Sequence, residues 1–363
     1  MIATLRSTRL RRTSVALVAP LLLLAACGSS SKTSGTSSPG KTNFQAGQGN
    51  AGVAQAISGT DGAIGYVDFS DAKAANLKFA SIKNSAGSFV APSLAGASAA
   101  VASAKVADDL TYSPLNEAGA DAYPITSPTW IIVYAKQTDA TKGLALKNFL
   151  SFVLNDGQDL AEGANFAKLP DAVRQQAIAQ LDKLEIPAGG STSATLNGSG
   201  STFQKTFDQV AIQAFQQKNS GVTVNYAGGG SGKGKTDLQT KTVDFAGTDS
   251  TVAAADLSKY QGGQILYFPT VSAPITVSYN VSGVSNLQLS PSTLAQIFSG
   301  KITSWDDAAI KADNPGASLP STAITVVHRA DASGTTSNFT KYLVSAGGSD
   351  WTLGSGDTVS WPS

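Results

Sequence analysis

The sequence has very few of the residues on which most enzyme chemistry depends. It holds one cysteine and one histidine. A single cysteine excludes an internal disulfide and a thiolate metal cluster, and a single histidine argues against a transition-metal centre. His328 also lacks an accompanying Gly-x-Ser-x-Gly motif, in a strand-turn-helix context, that would suit a Ser-His-Asp hydrolase. These absences favour a binding protein over an enzyme.

Residues 1–27 have the pattern of a bacterial lipoprotein signal peptide. Four arginines precede an apolar run at residues 15–24, which is too short to span a bilayer as a stable helix. The run closes on Leu24-Ala25-Ala26-Cys27, which resembles the lipobox of bacterial lipoproteins, where the cysteine becomes the lipid-modified first residue. This pattern predicts a lipid anchor at Cys27, on the extracytoplasmic face of the cell membrane. The alternatives are a free thiol after an ordinary cleaved signal and, because of Arg11-Arg12, export by the twin-arginine route.

The rest of the chain divides into a short tether and a long folded part. Residues 28–42 are rich in serine, threonine and glycine and have almost nothing to bury, which predicts a flexible tether. Removing the signal peptide leaves 26 minus 4, or 22, basic residues against 25 acidic ones, a net charge of −3. A mildly acidic chain without a basic stripe is not expected to bind nucleic acid. Residues 43–363 are numerous enough for two lobes.

Four short loops combine glycine with small hydroxyl or charged residues, and three of them lead into segments with helical character. Glycine lets the backbone approach a ligand closely, and a helix start supplies free N–H groups at the positive end of its dipole. Several such ends facing one cavity would bind an anion. The loops are residues 198–203, 228–232, 247–249 and 329–335.

Only two arginines follow the signal peptide. Arg174 lies in a segment with helical spacing, and we expect it to be a solvated helix residue. Arg329 follows the strand-like run at residues 324–327 and enters the fourth loop, where its planar guanidinium could hold two oxygens of a tetrahedral anion. Asp331 is placed to orient that guanidinium. A purely structural ion pair between Arg329 and Asp331 is the alternative, and the two roles are compatible.

The loops resemble those of the phosphate-binding lipoproteins of bacterial high-affinity phosphate ABC transporters. Residues 197–203 are similar to the opening glycine-rich motif of that family, which ends in Thr-Phe, and the resemblance covers nearly all of residues 196–362. It implies a two-lobed α/β fold of the periplasmic-binding-protein (PBP) type II, with the ligand cleft between the lobes. It also implies a protein that captures inorganic phosphate and passes it to the permease subunits of an ABC transporter, without catalysis, metal or cofactor, and we expect a monomer. The other family motifs are matched by residues 224–232, 243–249, 302–307 and 326–336.

The order of the matched segments is inverted. Residues 49–53, 62–69 and 123–127 resemble the C-terminal half of the family, yet they come first in this chain. We interpret this order as a circular permutation, in which the first block ends near Pro187 and residues 188–193 join the old termini. Such cuts are tolerated because the termini of compact domains often lie close together at the surface. The alternatives are a scrambled reading frame and a dimer whose chains exchange halves.

The permutation would make one lobe continuous. We expect that lobe to span residues 122–269, and the other to combine residues 43–121 with residues 270–363. The two crossings between the lobes would fall near Tyr123-Pro124 and residues 268–270, where proline gives each hinge segment a defined direction. Closure of the lobes on the ligand is the expected motion.

The resemblance implies a set of phosphate ligands in the four loops. Thr202 and Phe203 would donate backbone N–H groups, and the Phe203 ring would lie in the core. Ser231 would add a hydroxyl, and the start of the last helix a third group of donors. The full set is Thr202, Phe203, Ser231, Asp249, Arg329, Ser333, Gly334 and Thr335, with Asp331 as the orienting residue.

Asp249 is the residue that would discriminate between anions. A carboxylate beside a bound dianion is favourable only if the anion carries a proton to donate to it. Phosphate at neutral pH carries such a proton and sulfate does not, so sulfate would leave two buried negative charges facing each other. If Asp249 is instead a helix-capping turn residue, any tetrahedral oxyanion would fit. The same loops could also belong to a phosphate sensor without transport or to a phosphatase-like hydrolase.

Strand-like runs alternate with helical patterns, which predicts sheets covered on both faces. Three residues depart from the resembled family, because Gln204 stands where proline is common, Lys233 interrupts a glycine run and Gln48 stands where lysine is frequent. The predicted strands are residues 62–69, 130–134, 222–226, 275–279 and 324–327. The predicted helices are residues 145–154, 171–184, 203–217, 291–299 and 337–345.

Overall fold

The computed structural model describes residues 43–191 and 193–362. The predicted signal peptide, Cys27 and the predicted tether at residues 28–42 lie outside the described residues. Within the described ranges, no helix is both long and apolar enough to cross a bilayer.

Strands and helices alternate along the described residues, which confirms the predicted α/β class. The strands are β1 Asn43–Gly47, β2 Ala63–Asp68, β3 Lys78–Phe79, β4 Ser81–Lys83, β5 Phe89–Val90, β6 Thr126–Tyr134, β7 Ala194–Gly200, β8 Val222–Ala227, β9 Phe245–Thr248, β10 Ile265–Asn280, β11 Gln288–Leu289 and β12 Thr325–Arg329. The large sheet has the order β1-β12-β2-β10-β6-β9-β7-β8, with β3 also paired to β10. The small sheet has the order β11-β4-β5.

The helices that cover the sheets begin mostly at polar caps. Asp68, Asp139, Ser290 and Ser333 each accept hydrogen bonds from amides of the first helical turn, which would otherwise have no partner. The α-helices are α1 Gly49–Gly59, α2 Phe69–Ala74, α3 Leu94–Ser103, α4 Ala140–Leu154, α5 Asp171–Gln180, α6 Lys205–Lys218, α7 Ser231–Gln239, α8 Pro291–Phe298, α9 Ala308–Asp313 and α10 Gly334–Ala346. Short 3₁₀ helices lie at Asp156–Leu160, Glu162–Ala164, Leu181–Lys183, Ala254–Lys259 and Gly348–Asp350.

Strand β10 connects the two halves of the large sheet. It has 16 residues, and its C-terminal half pairs antiparallel with β2, beginning with Ile275 opposite Asp68. Its N-terminal half pairs antiparallel with β6, and the register shifts between Pro269 and Ser272. Parallel strands flank each half, since β12 and β1 follow beyond β2 and β7 and β8 follow beyond β9. The carboxyl ends of these parallel strands are where a ligand site is expected in such sheets.

Buried aromatic side chains hold both halves of the large sheet in place. Trp130 lies on β6 and donates its indole N–H to Leu110 O at 2.9 Å. Trp305 is fully buried on the other half of the sheet and donates to Gly62 O at 3.0 Å. Because each indole has a carbonyl partner, these large rings are buried without leaving a polar atom unpaired. The loops at the strand ends are therefore attached to a rigid frame.

All five predicted strands and all five predicted helices are confirmed, with two shifted helix starts beside the candidate site. Helix α6 begins at Lys205, later than predicted, because Ser201 Oγ accepts the amides of Phe203 and Gln204 at 3.0 and 3.3 Å and turns this segment into a bend. Helix α10 begins at Gly334, earlier than predicted, because the Ser333 side chain caps it by accepting from Thr336 N at 3.2 Å.

Candidate functional site

The predicted site residues converge at the carboxyl ends of β7, β9 and β12. Helices α7 and α10 begin at the same place, so that their amino termini and the strand ends enclose one polar cluster. Ser231, Asp249, Arg329, Ser333 and Thr335 are all buried there. Residues separated by more than about 100 positions in the sequence thus share one small volume.

Asp249 lies among hydroxyl groups and against the start of α10. Its Oδ1 accepts from Ser201 Oγ, and Ser231 Oγ donates to Oδ2 at 3.3 Å while accepting from the Asp249 amide at 3.1 Å. A Cβ added to Gly334 would lie 2.5 Å from Ser231 Oγ and 2.9 Å from Asp249 Oδ2. Only glycine therefore fits at the first residue of α10, and this brings the amino terminus of that helix directly onto the carboxylate. Ser201 was missed by the sequence reasoning, although it belongs to the first predicted loop.

Burial raises the pKa of Asp249 to about 6. The hydroxyls of Ser201, Thr129 and Ser231 and the charge of Arg329 oppose that rise. At neutral pH the carboxylate is therefore mostly ionised, and it can accept a hydrogen bond from a protonated ligand oxygen. In mildly acidic solution it becomes a hydrogen-bond donor instead.

Arg329 is held by a bidentate ion pair inside the protein. Its Nε donates to Asp331 Oδ1 at 2.8 Å, and Nη2 donates to Oδ2. The amide of Gly49 also donates to Asp331 Oδ1, at 3.0 Å, and Arg329 Nη1 reaches Thr335 Oγ1 at 3.3 Å. The Arg329 side chain is 1% exposed and that of Asp331 is 7% exposed. The pair fixes the guanidinium so that one edge faces Asp331 and the other faces the start of α10.

Asn50 joins two of the predicted ligands, and sequence reasoning assigned it no role. Its Nδ2 donates to Thr202 Oγ1 at 3.2 Å and to Thr335 Oγ1 at 3.4 Å. Its Oδ1 accepts from Asp68 N at 3.4 Å, and the whole residue is buried. Gly49, immediately before it, has a φ of 65°, which favours glycine and sets the direction of α1. The sequence signal that could have identified Asn50 is an asparagine directly after a glycine at the start of a helix.

Two predicted donors already have partners within the protein. The Phe203 amide, expected to face the anion, donates to Ser201 Oγ at 3.0 Å, and the Phe203 ring lies in the core 5.9 Å from Phe166. The Ser333 amide donates to Asp357 O at 2.8 Å. The amides of Gly334 and Thr335, at the first two positions of α10, are the donors that a helix start leaves for a ligand.

A cavity of about 520 Å³ lies beside the cluster and reaches Thr202. Asn50, Gly228 and Lys205 also line it. Lys233 lines it too but pairs with Asp237 on α7, as a solvated helix lysine does. Of the predicted phosphate ligands, Thr202 is the one that lines this cavity.

His328 has no geometry for hydrolysis. Its Nδ1 lies 3.0 Å from Arg329 O, and its ring stacks on Trp361 with the centroids 5.1 Å apart. Burial lowers its pKa. Across the described part of the chain, no group of three or more His, Cys, Asp or Glu side chains is arranged to hold a metal ion.

A second buried carboxyl group adjoins the cluster. Asp208 Oδ2 accepts from Gln204 Nε2 at 2.9 Å, and Gln204 Oε1 accepts from Thr129 Oγ1. Asp208 Oδ1 accepts no hydrogen bond from the described residues. Burial raises the pKa of Asp208 to about 8, Gln204 opposes that rise, and the charge of Asp249 adds to it. Asp208 is thus protonated at neutral pH and adds no charge to the site.

Replacing Asp208 with asparagine should flatten the pH dependence of stability. Between about pH 4 and pH 8 the folded protein binds more protons at this position than the unfolded chain, so its contribution to the free energy of unfolding falls as the pH rises through that range. Asparagine cannot ionise, so the variant lacks this loss of stability, which is about 6 kcal/mol at most. Urea denaturation of wild type and Asp208→Asn at pH 6 and pH 8 measures the difference.

The control for this experiment is Asp182→Asn, whose carboxylate is 87% exposed. This variant should lose as much stability between pH 6 and pH 8 as the wild type. An equal loss in Asp208→Asn would show that Asp208 does not titrate in this range.

A family model described as a PBP superfamily domain matches residues 12–157 and 186–358. The chain belongs to the PBP superfamily. The second matched range contains every predicted site residue, and the first contains Asn50. The α/β fold described above is thus the fold of a PBP superfamily protein.

Several curated relatives of this PBP superfamily chain are named phosphate-binding proteins. Phosphate-binding protein PstS 3 of Mycobacterium leprae is 40% identical over 177 residues, which are 48% of this chain and 47% of that protein. Phosphate-binding protein PstS of Methanocaldococcus jannaschii is 42% identical over 171 residues, which are 45% of this chain and 44% of that protein. The chain spans about half the length of these curated relatives. Among solved structures, a phosphate-binding protein of a phosphate ABC transporter from Streptococcus pneumoniae matches 71% of this chain and 82% of its own, with 21% identity and a TM-score of 0.45.

Proposed function

We propose that this PBP superfamily protein captures inorganic phosphate outside the cytoplasm and delivers it to the permease of an ABC transporter. The observation that carries the proposal is the buried cluster in which Arg329, the start of α10 and the carboxylate of Asp249 face one another. The names of the curated relatives support the same ligand. The protein would bind and release phosphate without changing it.

The cluster has the chemistry that hydrogen phosphate requires. A dianion needs donors on most sides, and the guanidinium of Arg329, the hydroxyls of Thr202, Ser231 and Thr335 and the first amides of α10 supply them. The proton of hydrogen phosphate needs an acceptor, and Asp249 supplies one at neutral pH. Sulfate would meet the same donors but would place an unprotonated oxygen against the carboxylate.

The ligand would be enclosed between two lobes, residues 122–269 and residues 43–121 with 270–363. Three hydrogen bonds join the proposed lobes to each other. Asn50 donates to Thr202 Oγ1, Gly232 N donates to Ala332 O at 3.0 Å, and Asn338 Nδ2 donates to Asp249 O at 2.6 Å. These contacts surround the cluster, so a phosphate held there would contact both lobes and would be released when they part.

A circular permutation accounts for the order of the segments in this proposal. The ring of His328 lies between Phe44, at a centroid distance of 6.4 Å, and Trp361, at 5.1 Å, so the first and last described segments are neighbours. The proposed joint at residues 188–193 includes Gly189 and Gly190, both with positive φ. A linear alignment can follow only one block of a permuted chain, which agrees with relatives that match over about half their length.

The remaining parts of the proposal concern attachment to the membrane. A lipid on Cys27 would anchor the protein, and the tether at residues 28–42 would let the folded part reach the permease as a monomer. The lobes need no cofactor and no metal for this function.

Calorimetry with phosphate, sulfate and molybdate tests the proposed ligand directly. We expect the protein lacking residues 1–27 to bind phosphate tightly and to bind sulfate at least about 100-fold more weakly, since pairing an unprotonated anion with Asp249 costs about 3 kcal/mol or more. Equal affinity for phosphate and sulfate would contradict the role of Asp249. Release of product from a chromogenic phosphate ester would contradict a pure binding protein.

A further inference from the structure

A second polar cluster includes Ser250, the residue after Asp249, and none of its three side chains lines the cavity that reaches Thr202. Lys235 Nζ on α7 lies 2.7 Å from Asp357 Oδ2 and donates to Ser250 Oγ at 2.9 Å. Ser250 Oγ donates in turn to Asp357 Oδ1 at 2.7 Å. The three side chains therefore form a closed ring of hydrogen bonds, and Ser250 directly follows Asp249 in the sequence.

This ring joins the two proposed lobes. Lys235 and Ser250 belong to residues 122–269, whereas Asp357 belongs to residues 270–363. Of the ion pairs among the described residues, the Lys235–Asp357 pair is the one that connects these two ranges. The two side chains are only 17% and 20% exposed, so solvent screens them less than it screens the surface pairs of the chain.

The ring is also attached to the start of α10. The carbonyl oxygen of Asp357 accepts from Ser333 N at 2.8 Å, and Ser333 is the cap of that helix. A displacement of Asp357 would therefore move the cap whose helix presents Gly334 and Thr335 to the ligand. Asp357 thus contacts the cap of α10 through its backbone and the opposite lobe through its side chain.

We propose that Lys235, Ser250 and Asp357 form a clasp between the lobes that sets how long phosphate stays bound. The clasp rests on the proposed function, because it acts on the release of the same ligand. Its groups do not touch the ligand, so they are positioning residues. Breaking the ring would favour the parted state of the lobes and raise the release rate, while the open protein would still meet phosphate at the same rate.

A neighbouring ion pair provides a matched control. Lys259 and Asp256 line the same cavity of about 540 Å³ as Lys235 and Asp357. Their nitrogen and oxygen are 2.6 Å apart, but both residues lie on one 3₁₀ helix and are 62% and 45% exposed. Lys259→Met removes a lysine from the same cavity without breaking a contact between the lobes.

The experiment measures association and dissociation of radiolabelled inorganic phosphate by rapid filtration, with the full chain in detergent. Lys235→Met and Asp357→Asn should each release phosphate about tenfold faster than wild type, with association rates within about twofold. The double variant should release it no faster than the faster single variant, because both changes break one ring. Lys259→Met should behave like wild type.

Three outcomes would overturn the clasp. Release at the wild-type rate from both single variants, additive effects in the double variant, or equally fast release from Lys259→Met would each contradict it. Failure of the wild-type protein to bind phosphate would overturn the proposed function as well. Thermal denaturation of the ligand-free variants separates a clasp from a general loss of stability. The clasp predicts that the release rate changes by a larger factor than the equilibrium constant for unfolding.

Discussion

Replacing Arg329 with alanine should reduce phosphate affinity by about 4 kcal/mol, or roughly 1,000-fold in Kd. The guanidinium is the full positive charge within the described cluster, and its Nη1 is directed at Thr335 on the first turn of α10. Lys233 and Lys235 are not free to replace it, because they are paired with Asp237 and Asp357. Calorimetry with phosphate measures the loss.

The same substitution should also destabilise the protein. It leaves the carboxylate of Asp331 only 7% exposed and without its bidentate partner. Breaking a buried ion pair in this way costs about 3 kcal/mol. The double variant Arg329→Ala with Asp331→Asn should recover part of that stability without recovering phosphate affinity, which separates the two effects.

Arg174→Ala is the matched control for Arg329→Ala. Arg174 is the other arginine of the described residues, and it pairs with Asp171, whose side chain is 91% exposed. We expect its removal to change phosphate affinity and stability by less than about 0.5 kcal/mol. If Arg329→Ala retained phosphate binding within about threefold of wild type, the guanidinium would not be a ligand.

Replacing Asp249 with asparagine should abolish most of the discrimination against sulfate. The amide removes the negative charge that an unprotonated anion would face, and its NH₂ group can donate to that anion. The ratio of sulfate to phosphate Kd should fall at least about 100-fold, equivalent to about 3 kcal/mol. Competition calorimetry with both anions at pH 7.5 gives the ratio.

The raised pKa of Asp249 predicts how sulfate affinity depends on pH. Because that pKa is raised to about 6, the carboxyl group becomes protonated as the pH falls through this value and turns from acceptor to donor. Wild-type sulfate affinity should therefore rise as the pH falls below about 6, whereas the asparagine variant should show no such rise. The sulfate Kd of both proteins between pH 5 and pH 8 tests this.

Asp244→Asn is the control for Asp249→Asn. Asp244 immediately precedes β9, whereas Asp249 follows it, and its carboxylate pairs with Lys142 at 2.9 Å near the surface. Its replacement should leave anion selectivity unchanged. Persistent exclusion of sulfate by Asp249→Asn would mean that the carboxylate does not face the anion.

The sequence predicted five of the twelve strands and five of the ten α-helices of the described residues, because the patterns of these elements are local. Residues 222–226 and 275–279 are runs of β-branched and aromatic residues and form strands as expected. Strand β7 was not predicted, since Ala194–Gly200 contains glycine, serine and asparagine. It is a strand because β8 and β9 pair with both its edges, and a Cβ on Gly198 would lie 2.3 Å from the ring of Phe245. Such a close approach is a property of the assembled sheet.

In the candidate site, as in the fold, local sequence patterns were predictive and contacts between distant segments were not. The loops carry glycine, hydroxyl and charged residues at positions that indicate an anion site from sequence alone. The contact of Asn50 with Thr202 depends instead on how β1 aligns with β12 and on where α6 begins. The ring of Lys235, Ser250 and Asp357 depends on the path of the last residues. Neither arrangement leaves a pattern in the sequence.

The pairing of β1 with β12 imposes an order on the folding of the chain. Asn43 pairs with Thr325, and β2 pairs with β10 and β12, so neither early strand has its partner until late in synthesis. Strands β6 to β10 are all made before β12, and within this group β7, β8 and β9 pair with partners that are close in the sequence. The middle of the nascent chain therefore folds first. Strand β1 must remain without its sheet partner until β12, the last of the described strands, is made.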